Sequence, residues 1–264
     1  MPTTSPTPFP APGHFGLGAL ANFFDTLGVG SFGVTTIAMK LGKMLPDDEI
    51  PGTLNVGHAI PSALQSAIFL GTIGVDLLTM VTMVGASAVG AWLGAGRVAR
   101  WPKRTIQRAM AFALLVTAVF IMLRQTGVFP SGGSATGLRG IPLLIAIGAS
   151  GIIGAVISLG IGNYAPTMAV TYMLGMDPRA VFPVMATSGA LMLLVAASRF
   201  YRAGRFNRRL ALGLAIGGIP GVLVAAFIVK SLNVTLLLWL VAAVLLYTAV
   251  LLYLSSRTSE ETAS

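Results

Sequence analysis

The chain has 264 residues, of which 55% are hydrophobic and only 9% charged, too little polar surface for a soluble globule. This excludes a soluble enzyme and marks an integral membrane protein. A formal charge of +9 would raise the question of nucleic acid in a soluble chain, but here the basic residues lie in short loops between apolar runs, the pattern that orients a protein in a bilayer, so the expected partners are lipid and a small solute and not nucleic acid. The absence of cysteine removes disulfides, thiolate chemistry and Cys-based metal centres.

In chain order, residues 1–13 are rich in Pro, Thr and Ser and carry no Lys or Arg. They read as a disordered tail and not as a signal peptide, which would need a basic start. The first apolar segment, 14–42, is interrupted by Gly28-Val29-Gly30-Ser31-Phe32-Gly33-Val34-Thr35. The glycines loosen a helix and Ser31 stands where a cap would restart one. Asp25, about one turn before this break, is the one carboxylate expected at membrane depth. It is a candidate for proton coupling, and equally for tethering the turn through its backbone amides.

The second segment, 52–74, carries Asn55, His58, Ser62 and Gln65 three to four residues apart, which puts them on one helical face that should look inward. Interhelical hydrogen bonding without solute contact would account for such a stripe equally well. Segments 76–96 and 105–123 follow, then a linker, 126–140. The fifth segment, 141–175, is broken in the same manner by Gly160-Ile161-Gly162-Asn163-Tyr164-Ala165-Pro166-Thr167, with Asn163 in the cap position and Pro166 fitting only a first helical turn. Segments 180–198, containing Thr187 and Ser188, 209–229 and 234–254 complete the chain before a short tail, 257–264. The acidic run Asp47-Asp48-Glu49 reads as a solvated loop, and the twelve methionines show no His/Met spacing that would mark a metal path. No metal and no cofactor is expected.

Six segments have the ~20-residue length that crosses the hydrocarbon once; the two broken ones are longer. If every segment crossed, Lys and Arg would divide almost evenly between the two sides. If the two broken segments instead return to the side they entered from, all basic residues except Arg124, Arg139, Arg179 and Lys230 fall on one side. The positive-inside rule therefore favours six spans plus two hairpins, with both termini cytoplasmic. Three crossings per half would make the halves, 14–125 and 141–256, upside down relative to one another. At a constant offset of 132, Leu27/Leu159, Gly28/Gly160, Gly30/Gly162, Thr35/Thr167, Pro51/Pro183, Gly57/Gly189 and Gly217, facing Gly85, recur. The fold class expected is thus an all-α polytopic membrane protein of two inverted repeats, each a Gly-broken hairpin plus three transmembrane helices.

Helices that begin in mid-membrane present bare N–H groups and the positive end of a dipole. Two such starts facing one another make an anion site, here Gly30, Ser31, Phe32 and Thr35 against Gly162, Asn163, Tyr164 and Thr167, with Asn55, His58, Thr187 and Ser188 as further candidate contacts. Neither tip carries Lys or Arg. Close glycine packing with no solute is the plainer reading of a lone pair of small residues, but two matched breaks make it the lesser one. A catalytic residue is not expected, although Ser31 with His58 leaves an intramembrane hydrolase as an alternative, and a structural subunit without a solute is another.

Leu27-Gly28-Val29-Gly30-Ser31-Phe32, Gly52-Thr53-Leu54-Asn55 and Gly85-Ala86-Ser87-Ala88-Val89-Gly90 in the first half resemble the repeat of the TauE/SafE family of sulfite and sulfonate exporters, as do Leu159-Gly160-Ile161-Gly162-Asn163-Tyr164-Ala165-Pro166, Ala186-Thr187-Ser188 and Gly217-Gly218-Ile219-Pro220-Gly221 in the second. Val34 replaces the usual proline of the first turn, and His58 is an addition. The resemblance implies a secondary transporter in the bacterial inner membrane moving sulfite, thiosulfate or a related organic anion such as a small carboxylate. A homodimer is left open.

Overall fold

The computed structural model describes residues 9–26, 30–70, 74–128, 133–157, 159 and 163–228, with scattered positions between 243 and 254. Among these the structure is helical: α1 Pro12–Thr26, α2 Ser31–Leu41, α3 Ile50–Leu70, α4 Leu77–Val98, α5 Lys103–Gln125, α6 Gly140–Ile157, α7 Tyr164–Met173, α8 Pro178–Ala203 and α9 Arg208–Ile228. Among the described residues four stretches are long and apolar enough to cross a membrane: Leu77–Val98, Gly140–Ile157, Ala180–Ala203 and Arg208–Ala226. Helix α3 is as long, but its polar stripe dilutes it. The stripe is turned inward, with Asn55, His58, Ser62 and Gln65 all buried, because a lipid-facing polar row would leave its groups unpaired in hydrocarbon. The outward faces of α4 and α6 instead expose Leu77, Val81, Val89, Ile141, Leu144 and Ile152, the inverse of a soluble protein. The last apolar segment, 234–254, lies mostly outside the described residues.

Both broken segments restart as helices. α1 stops at Thr26 and α2 begins at Ser31; α6 stops at Ile157 and α7 begins at Tyr164. The chain then comes back to the end it came from. Around α6 and α7 this is fixed by backbone bonds between the strand-like stretch before α6 and the turn after α7: Gly133 N–H donates to Met176 O at 2.9 Å and Asp177 N–H to Ala135 O at 2.8 Å. At the opposite end, Pro10 and His14 at the start of α1 lie against Gly213 of α9. The end of α2 is tied to the turn before α3 by Lys40, which reaches Asp47 at 2.5 Å.

Relative directions follow from which residues meet. Ser66 Oγ of α3 donates to Thr187 Oγ1 of α8 at 3.2 Å, while Gly52, at the other end of α3, approaches Phe200 and Arg205; α3 and α8 are antiparallel. Thr53 of α3 accepts from Asn207 N–H at 2.9 Å, Gly57 meets Leu214 and Pro61 meets Gly218, so α3 and α9 are parallel. Helix α1 packs along α9, and α6 along α4. Each pair joins one half of the sequence to the other. Within lipid such packing comes from close van der Waals fit and not from hydrophobic expulsion, which is why small residues line it. A Cβ on Gly94 of α4 would fall on the carbonyl oxygen of Ala155 in α6.

The ends are unlike. One gathers the close of α2, α4 and α8 and the start of α5 and α9, and with them Lys40, Lys43, Arg97, Arg100, Lys103, Arg199, Arg202 and Arg205. There the acidic run is a short 3-10 turn and not the free loop its composition suggests. Asp47 is buried, accepting from Gln107 at 2.7 Å as well as from Lys40, and Asp48 accepts from Arg205 at 2.7 Å. The other end carries Asp76, which caps α4 by accepting from Thr79 N–H at 2.8 Å and pairs with Arg139 at 2.6 Å.

Candidate functional site

The starts of α2 and α7, one from each half, border a single small cavity of about 20 Å³ together with Asp25, Ser62, Gln65 and Gly189. That is room for about one water molecule. Its lining residues include no lysine or arginine.

The first tip is built by α1, α2 and α3. Gly30 precedes α2 with φ +91°, a left-handed conformation that a glycine adopts without strain. The first turn of α2 is satisfied by Asp25 and not by a serine cap: Ser31 N–H donates to Asp25 Oδ1 at 2.8 Å. Ser31, expected as the cap, is instead the first helical residue, because the carboxylate one turn back in α1 already accepts from its amide.

One turn deeper a polar brace joins three helices. Asn22 Nδ2 of α1 donates to Gly18 O at 2.8 Å and contacts His58 Nδ1 of α3 at 3.0 Å. His58 Nε2 lies 2.9 Å from Thr35 Oγ1 of α2, whose hydroxyl donates to Ser31 O at 2.8 Å. Asn22 Oδ1 also lies 3.2 Å from Nδ1, so the donor and acceptor roles around the ring follow its tautomer; a proton on Nε2 fits a Thr35 hydroxyl given to Ser31 O. Phe32 lies beside the ring, centroids 5.9 Å apart.

The second tip is held differently. Asn163 stands at the cap position of α7 but makes no capping bond; its side chain donates to Met185 O of α8 at 2.8 Å. Pro166 occupies the first turn of α7, where its missing N–H costs nothing. A Cβ on Gly189 would stand 3.2 Å from Asn163 Oδ1, so glycine at this point lets the tip lie against α8. Tyr164 then reaches across the halves: its hydroxyl accepts from Gln65 Nε2 at 2.8 Å.

Of the residues singled out in the sequence, Asp25, Gly30, Ser31, Phe32, Asn163 and Tyr164 are brought together at the cavity. Thr35 and His58 sit behind the first tip, in the brace. Asn55 turns back on its own helix to Pro51 O at 2.8 Å, Thr167 is buried within α7, and Ser188 is buried in α8. Thr187 meets Ser66 at the α3–α8 seam. Gly162 lies outside the described residues. The sequence reading passed over Asn22, whose signal was an amide inside an apolar run one turn before Asp25. It placed Ser62 and Gln65 on the right face without assigning them to the site.

The arrangement offers hydroxyl, amide and backbone donors around one carboxylate, in a buried setting where each hydrogen bond is strengthened. It does not pair Ser31 with His58, since both ring nitrogens of the histidine are engaged by Asn22 and Thr35. No curated protein and no solved structure matches the chain. Residues 143–264 match the family model described as Sulfite exporter TauE/SafE, so the second half carries the pattern of the transporter family that the doubled motifs of both halves resemble.

Proposed function

We infer that the protein is a secondary transporter of a small oxyanion, such as sulfite, thiosulfate or an organosulfonate, held at the midplane between the starts of α2 and α7. The observation that carries this reading is that these two helix starts, one from each half, border the same cavity with buried Ser62 and Gln65 between them. Helix starts aimed at one point favour negative charge, and neutral donors hold it weakly enough to let it go.

The transport cycle rests on an inverted arrangement of two repeats, 14–125 and 141–256, joined by 126–140. It is supported by the antiparallel run of α3 against α8 and the parallel run of α3 with α9. Eight successive crossings would reverse both relations. With the basic end inside, both termini are cytoplasmic and the membrane is the bacterial inner membrane. The direction is outward: an anion leaving a cell negative inside gains ~2.3 kcal/mol per charge per 100 mV, so no ATP site is needed. The role is read as transport and not catalysis: His58, which a Ser31 hydrolase would need, is engaged by Asn22 and Thr35.

The test is efflux from proteoliposomes loaded with sulfite, thiosulfate, sulfoacetate or short carboxylates. A sulfur oxyanion should leave fastest, and release of carboxylates alone would transfer the assignment to an organic-acid carrier. If none of these solutes leaves faster than from protein-free vesicles, the reading is wrong.

A further inference from the structure

Of the two helix starts at the cavity, one is already occupied by a carboxyl group. The Asp25 carboxylate, 7% exposed, accepts the Ser31 amide proton at 2.8 Å, the same donor that an incoming anion would need at α2. The second half has Ile157 at the corresponding position, and Asn163 is drawn away to Met185 O, so the start of α7 carries no such group. The two starts are therefore electrostatically unequal.

We propose that the Asp25 carboxylate competes with the transported oxyanion for the Ser31 amide, so that the anion loads only when Asp25 has taken a proton and the two move together. The inference rests on the transporter reading above. An ionised carboxylate and an anion drawn to one helix start in a low-dielectric setting repel strongly, and among the described residues no lysine or arginine lines the cavity to offset them. The titratable side chains borne by the surrounding helices at this level are His58 of α3, held by Asn22 and Thr35, and Tyr164 of α7, held by Gln65.

The step balances simply. A proton from water on the loading side binds Asp25, the Ser31 N–H is released to the anion, and on unloading both the anion and the proton leave to the far side while the carboxylate returns to the amide. One negative charge is cancelled per cycle, so a divalent oxyanion crosses as a single net charge.

Thiosulfate is the probe, because it stays fully ionised across the neutral range and contributes no titration of its own. Binding to the purified full chain should weaken about tenfold per pH unit above the carboxyl's own titration, whereas D25N should bind with a flat pH profile. In proteoliposomes the wild-type protein should move one proton with each thiosulfate, and D25N none. Since Asp25 also ties the tip, D25N could fail to fold, so infrared difference spectra of the wild-type protein provide an independent readout. Adding thiosulfate should raise a protonated-carboxyl band. Binding without that band, or D25N moving protons as the wild type does, overturns the competition and leaves the transporter reading standing. A wild-type protein that binds neither thiosulfate nor sulfite overturns the transporter reading, and this proposal with it.

Discussion

Gln65 of α3 donates its side-chain amide to the phenol of Tyr164 in α7 across 2.8 Å, and both residues are buried. This bond spans the two halves at the cavity itself. Tyr164→Phe leaves the Gln65 amide unpaired in a dry site and should cost ~1–3 kcal/mol, read as a lower thermal midpoint. Adding Gln65→Leu should recover most of that loss, because two apolar partners of similar shape need no bond. A double variant as unstable as the single one would mean that the bond contributes through something other than its unmet donor.

The brace through His58 predicts a larger effect. His58→Ala strips partners from Asn22 and Thr35 at once and leaves a void, so destabilisation of ~3 kcal/mol or more is expected. Chemical denaturation in detergent would measure it. A variant as stable as the parent would show that the three helices do not depend on the ring.

At the far end, Asp76 is held below the usual carboxylate range by its hydrogen bond to Arg139, helped by Thr79 at the start of α4. Its native value is lower than its unfolded one, so its stabilising contribution is complete above about pH 4, the ordinary carboxylate value, and is lost as pH falls further toward the native value. Thermal midpoints taken from pH 7 down to 3 should therefore fall more steeply for the wild type than for Asp76→Asn. Parallel curves would remove this carboxylate from the acid response.

Close approach of α4 and α6 supplies a steric prediction. Gly94→Leu drives a side chain into the Ala155 backbone, where nothing flexible can yield. The two helices must separate, and the loss should exceed the ~1–3 kcal/mol usual for an overpacked core. Crosslinking of cysteines placed on facing turns of α4 and α6 would report the separation.

The helical class and the two helix restarts were legible because glycine, proline and charge act locally. The doubled breaks at 28–35 and 160–167 located both restarts, and the distribution of arginines favoured returning segments over eight crossings. What the sequence could not give was the traffic of individual bonds. Ser31 and Asn163 both looked like caps, but a cap is decided by whichever acceptor is nearest in three dimensions. For Ser31 that is Asp25, and Asn163 found a better partner in Met185 O. His58 stood out for its place on the inward stripe, as a solute contact or as interhelical glue; its two nitrogens are engaged by Asn22, which carried only a faint signal, and by Thr35.

The brace at Asn22, Thr35 and His58 has a mechanical corollary. At the places of Asn22 and His58 the second half has Gly154 and Ala190, which cannot form side-chain hydrogen bonds, so α7 has no equivalent of this brace and is expected to be the more compliant of the pair. Amide exchange should be quicker along 164–173 than along 31–41. The cavity would then lie between a stiff wall and a yielding one.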